Sequence, residues 1–112
     1  MPVVTLAQQP AKLIFPGVTA HFAHLEPRLT IGEVELAAGA VVPVHQHPQD
    51  QITYLLAGQA ECTVGGETHA LAAGMCVLTP GGTPHTFRAL TACRSLDMFT
   101  PVREDFRAAS TP

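Results

Sequence analysis

Apolar and polar residues alternate in short stretches along most of this chain, and the stretches stop at Gly or Pro. On that pattern strands are predicted over Lys12–Phe15, Val18–Leu25 and Arg28–Leu36, separated by Pro16-Gly17 and Glu26-Pro27. Further strands follow over Gly39–Val44, Gln51–Ala57, Ala60–Val64, Glu67–Leu71, Met75–Thr79, His85–Leu90 and Thr91–Phe99. Gly65-Gly66 is a two-residue connection suited to a primed hairpin turn, and Pro80–Pro84 is a rigid one. In Arg28–Leu36, Leu29, Ile31 and Glu33 alternate with Thr30, Gly32 and Val34, so the pattern leaves the inward face open. Val3-Val4-Thr5-Leu6 has a short extended signal in an arm over 1–10. At the other end Pro101–Arg107 can form one helical turn before a loose tail over 108–112. No helical periodicity of useful length appears, so the expected class is all-β, an antiparallel sandwich or barrel.

Composition sharpens this picture. With 112 residues the chain reads as one domain, 1–112, large enough for a core without staples, and its scattered Gly and Pro suit tight turns. A net charge of −3 with no Lys/Arg cluster argues against nucleic acid and against an anionic membrane surface. Cys62, Cys76 and Cys93 are odd in number and lack CxxC spacing, which fits reduced thiols packed as small apolar residues in a cytoplasmic protein. No secretory signal and no bilayer-length apolar run is visible in the sequence.

Chemistry enters with His45-Gln46-His47. Two histidines one residue apart on an extended segment point the same way. Gln51, after a Pro-containing turn, can return its amide toward them, and His85 is the best distant candidate for a fourth ligand. Imidazole and carboxamide donors without a carboxylate leave the charge of a divalent ion uncompensated, which favours an anionic ligand and Lewis-acid chemistry on oxygen.

The two stretches read Gly39-x5-His45-x-His47-x3-Gln51-x6-Gly58 and Gly74-x5-Pro80-x-Gly82-x2-His85, with fifteen residues between them. They resemble the two motifs of the cupins over about residues 29–100, and the resemblance implies a double-stranded β-helix, a small jelly-roll barrel. Gln51 stands where cupins usually have glutamate, and Ala89 where an asparagine often ends the second motif.

Downstream, Asp97 and Phe99 share one face of a final strand, and the chain then turns at Pro101 toward Arg103. The run Asp97-Met98-Phe99-Thr100-Pro101-Val102-Arg103-Glu104-Asp105-Phe106, with the Gln51 exchange, is similar to the KdgF-type cupins of uronate catabolism. That resemblance implies metal-dependent, non-redox conversion of 4,5-unsaturated monouronates from pectin or alginate lyases to a linear ketonised product. His45, His47, Gln51 and His85 would hold one divalent transition metal (Ni, Zn, Fe or Mn), and Asp97, Phe99 and Arg103 would serve substrate binding and catalysis. The tail also occurs in small cupins of unknown activity, so it indicates the subfamily better than the substrate; an Fe-dependent dioxygenase, which a three-histidine site without a carboxylate can support, and a non-catalytic module that binds a small acidic sugar stay open. A homodimer is expected from the resemblance and from the exposed edges of a small jelly roll. His21 and His24, three apart on an early strand, read as ordinary strand histidines, and His69 with Glu67 reads as a solvated edge.

Overall fold

The computed structural model describes residues 3–109, and the far end of the tail, 110–112, lies outside them. Strands β1 (Lys12–Phe15), β2 (Val18–Leu25), β3 (Leu29–Leu36), β4 (Val41–His45) and β5 (Asp50–Ala57) lead into β6 (Gln59–Val64), β7 (Glu67–Ala72) and β8 (Cys76–Thr79). β9 (His85–Ala89), β10 (Cys93–Thr100) and a short helix α1 (Glu104–Ala109) complete the chain. They form a six-stranded sheet in the order β1-β2-β3-β10-β5-β8 and a four-stranded sheet in the order β4-β9-β6-β7. All pairings are antiparallel, and the two sheets enclose the core as a jelly roll.

The interior is built by period-two alternation. Val18, Ala20 and Phe22 of β2 face inward, as do Val34 and Leu36 of β3, Leu55 of β5 and Cys93 and Phe99 of β10. Each large side chain so buried contributes about 1.5–3 kcal/mol. β3, whose inward face the pattern left open, turns Thr30, Gly32, Val34 and Leu36 inside; Gly32 leaves room for the Phe22 ring, and Leu29 lies exposed. The Gly65-Gly66 hairpin is as predicted, with φ of 57° and 88° at its two residues.

Three expectations are corrected. The run from Val3 makes no strand: Leu6–Gln8 is a single 3-10 turn, held near β2 by a 2.7 Å contact between His21 Nδ1 and the Gln9 carbonyl. Cys76 is exposed on the edge strand β8, whereas Cys62 and Cys93 are buried; all three are free thiols. The helix runs on through Ala109 into the stretch expected to be loose. On the solvent face of the larger sheet Ala23, Ile31, Met98, Ile52 and Leu78 follow one another by register across β2, β3, β10, β5 and β8. No helix among the described residues is long and apolar enough to cross a membrane.

Candidate metal centre and its cavity

Strand β4 brings His45 inward by an irregularity. The alternation is broken between Val42 and His45, so that Pro43 and Val44 both face solvent and His45 takes an inward position that regular alternation would have denied it. Proline is tolerated there because the bulge leaves no ladder donor to satisfy. His45 sits directly opposite His85, the first residue of β9. His47 lies on the following loop, which is held to the second histidine-bearing segment by Gly82 N–H donating to the His47 carbonyl (2.8 Å) and Gly81 N–H donating to Asp50 Oδ1 (2.8 Å). Gly81 has to be glycine: a Cβ there would lie 2.1 Å from the Pro48 carbonyl oxygen.

The three imidazoles converge. One nitrogen of each of His45, His47 and His85 lies within 4.8 Å of the others, close enough to share one ion. Their other nitrogens are all occupied locally: Nδ1 of His45 meets the Pro43 carbonyl at 2.8 Å, that of His47 the Gln49 carbonyl at 3.1 Å, and that of His85 the Thr83 carbonyl at 2.8 Å. A carbonyl can only accept, so each Nδ1 carries the proton and each Nε2 presents a lone pair. His85 Nε2 is buried without a hydrogen-bond partner. His47 Nε2 lies 3.0 Å from Gln51 Oε1, another lone-pair atom once Nδ1 holds the proton. An orphaned nitrogen and two acceptors face to face are what a cation would reconcile, so the residues present fit a divalent metal.

Burial pushes the His47 and His85 pKa values down, and the positive charge of Arg103 adds to the effect, which keeps both rings neutral and able to ligate. The other end of the Gln51 amide is also fixed. Its Nε2 donates to Thr53 Oγ1 at 3.0 Å and approaches Asp97 Oδ2 at 3.4 Å. Asp97 also accepts from Ser95 Oγ at 3.0 Å. Desolvation raises the Asp97 pKa to about 7, against the opposing pull of the Ser95 hydrogen bond and the Arg103 charge. Asp97 and Phe99 do share the inward face of β10, with Phe99 opposite Gln51 and Asp97 opposite Thr53.

Arg103 is brought to the same cavity but is not ion-paired with Asp97. Its guanidinium lies 3.8 Å from the Phe106 ring centroid and 4.8 Å from that of Phe99, and its side chain is 8% exposed. Nε and Nη2 donate to the two oxygens of Asp105 at 2.9 and 2.7 Å. The Phe99 ring also meets His47 edge-on at 5.7 Å, so it is core and cavity wall at once. Gln49, whose carbonyl holds His47, donates its side-chain amide to the Val102 carbonyl at 3.0 Å and ties the histidine loop to the Arg103 segment.

The cavity has a volume of about 220 Å³; His45, Gln51, His85, Asp97 and Arg103 lie on its wall, and apolar residues such as Val42, Val77 and Phe87 line the rest. Asp105, Thr53, Ser95 and Gln49 escaped the sequence reading. Thr53 and Ser95 had a signal, since each is two residues from a candidate on its own strand. Asp105 fell within the Pro101–Arg107 stretch expected to form one helical turn, and nothing in the sequence placed it against Arg103.

His21 and His24 lie on opposite sides of β2, and His24 Nδ1 contacts Thr30 Oγ1 at 2.8 Å, outside the histidine cluster. His69 is exposed, with Glu67 3.9 Å away.

Comparison with known proteins agrees with this geometry. The family profile described as cupin domain matches residues 32–99. An uncharacterised protein of Streptomyces coelicolor, SCO3923, is 34% identical over 77 residues, 68% of this chain and 73% of that protein. The structure of KdgF from Halomonas sp. superposes with a TM-score of 0.82 at 32% identity, covering 89% of this chain and 93% of that one. An RmlC-like cupin from Shewanella frigidimarina superposes with a TM-score of 0.89 at 25% identity, over 95% and 96% of the two chains.

Proposed function

The chain belongs to the cupin family, and from that membership and the donors gathered in its cavity we propose a metal-dependent, non-redox enzyme that opens and ketonises a 4,5-unsaturated monouronate. The observation that carries this reading is the position of Asp97. A carboxyl group with a pKa of about 7 lies behind Gln51, in the cavity whose wall includes Arg103. A group so tuned can both take and return a proton near neutral pH. The likeness to a KdgF structure and the volume of about 220 Å³, room for one monosaccharide, support the same reading.

His45, His47, Gln51 and His85 would hold the divalent ion, which when bound supplies a Lewis acid for ring and hydroxyl oxygens. Arg103 takes the uronate carboxylate, for which a guanidinium is better shaped than an ammonium. Asp97 removes the proton of the C1 hydroxyl as the C1–O5 bond breaks, leaving an aldehyde at C1 and an enolate at C5. The same residue then delivers that proton to C4 as the enolate collapses to the C5 ketone, so the net change is an isomerisation. Phe99 walls the sugar from water. The reading includes a homodimer formed through the apolar solvent face of the larger sheet.

The test is to add protein loaded with Zn or Ni to unsaturated monomer freshly made by a lyase. Absorbance of the conjugated double bond should decay faster than in buffer and no faster with Asp97→Ala. Equal rates for buffer, wild type and variant would overturn the reading. A second reading, an Fe-dependent dioxygenase, draws on the carboxylate-free three-histidine set. Turnover that continues without oxygen and with Zn excludes it, and a sugar recovered unchanged identifies a binding module.

A further inference from the structure

Arg103 uses one edge of its guanidinium for Asp105, and the disposition of the rest matters. Nε and Nη2 donate to Oδ1 and Oδ2, a side-on, two-point pairing. Nη1 has no hydrogen-bond partner among the described residues, yet it is not one of the sealed, unsatisfied atoms, so it opens onto accessible space. Arg103 and Asp105 both line the cavity. The guanidinium carbon lies close to both the Phe106 and the Phe99 ring, and the two rings stand at 77° to each other, so ring contact holds the group in place without prescribing which way its donors point. The two-point contact with Asp105 is the only side-chain hydrogen bonding of Arg103 that does so among the described residues.

We infer that Asp105 is a positioning residue: it locks the Nε–Nη2 edge of Arg103 so that the remaining edge, Nη1 with Nη2, is held ready for a carboxylate in the cavity. The inference rests on the acidic-sugar reading above and adds to it the residue that aims the recognition group. Two effects of Asp105 oppose each other. Its negative charge repels an incoming carboxylate, and its hydrogen bonds orient the arginine that attracts it. The Asp105 carboxyl is itself held below the usual range, first of all by the Arg103 hydrogen bonds, and its side chain is 62% exposed. Exposure screens the longer-range repulsion, whereas the two-point pairing acts at hydrogen-bond distance on a guanidinium that is only 8% exposed, where screening is least. Orientation therefore outweighs repulsion.

Asp105→Asn separates them, because it removes the charge and one of the two acceptors while keeping the size. Two measurements on the Zn-loaded full chain decide the matter. In nitrogen NMR the Nη resonances of Arg103 should be separate in the wild type, reporting hindered rotation, and collapse in Asp105→Asn. Calorimetric titration with D-galacturonate should weaken by about tenfold in the variant, the size expected for one charge-assisted hydrogen bond, while the neutral sugar D-galactose shows no change. Asp105→Glu, which keeps two acceptors, should recover part of both effects. Unchanged Arg103 resonances in Asp105→Asn, or tighter galacturonate binding, would overturn the inference. A wild type that binds the two sugars alike sinks the acidic-sugar reading, and the resonances then still decide whether Asp105 holds Arg103.

Discussion

Gln51 and Asp97 are diagonal neighbours on the inner face of the six-stranded sheet, with Gln51 Nε2 3.4 Å from Asp97 Oδ2 and Gln51 Oε1 turned to His47. The amide is therefore a two-sided residue: an acceptor toward the histidines and a donor toward the acid. Glutamate in its place would set two carboxylates side by side, and like charges about 4 Å apart repel by roughly 4 kcal/mol at an effective dielectric of 20. One of them would have to keep a proton.

Gln51→Glu is thus expected to move the acidic limb of the activity profile to higher pH and to lower activity at neutral pH by about tenfold or more, while metal binding persists. A pH profile of turnover for wild type and variant, with metal content measured on the same samples, checks it.

The acid behind Gln51 also makes a statement about stability. In the metal-free protein Asp97 has a pKa raised from 3.8 to about 7, so the folded state holds its proton more tightly than the unfolded state does. Its contribution is complete below about 3.8 and is lost as pH rises through about 7. Asp97→Asn should abolish that loss. Urea midpoints of chelator-treated protein at pH 5 and pH 8 are expected to fall more in wild type than in the variant. His47 and His85, shifted down, act in the opposite sense, but they are common to both proteins and cancel in the comparison.

Metal removal should be visible in the melt. A ligand at a hundred times its dissociation constant stabilises the folded state by about 2.7 kcal/mol, on the order of 10 °C for a domain of this size. Chelator is expected to lower the wild-type midpoint by that order and to leave His85→Ala unmoved, as followed by scanning calorimetry.

The apolar row through Ile31, Met98, Ile52 and Leu78 is expected to bury itself against a second copy of the chain. Ile52 is 39% exposed and Leu78 67% exposed in the single chain. Sedimentation of wild type should give a dimer at micromolar concentration, and Ile52→Lys a folded monomer. A monomeric wild type removes this expectation without touching the site.

What was legible in the sequence was what depends on short-range geometry. The histidine pair, the distant His85 and the shared face of Asp97 and Phe99 follow from spacing; the structure converges the three imidazoles and puts His45, His85, Asp97 and Phe99 on one cavity wall. The inward turn of His45 needed a bulge at Pro43 and Val44 that no alternation predicts. β3 was ambiguous because a hydroxyl and a glycine, Thr30 and Gly32, occupy inward positions while Leu29 and Ile31 do not. Thr30 is inside because its hydroxyl accepts from Arg103 N–H, a partner 73 residues away. Asp105 was missed for the same reason: its role depends on where two aromatic rings from separate elements set a guanidinium. Cys76 shows the limit of residue type as a guide, since a four-residue edge strand leaves half its side chains in solvent whatever their polarity.

Each histidine of the cluster is steered by a carbonyl only two residues away in the chain, at Pro43, Gln49 and Thr83. The rings are therefore aimed by their own backbone. A divalent ion held by them would have little side-chain motion left to freeze. Exchange of one such ion for another would then need no rearrangement of the barrel, and supply would decide between ions as much as affinity.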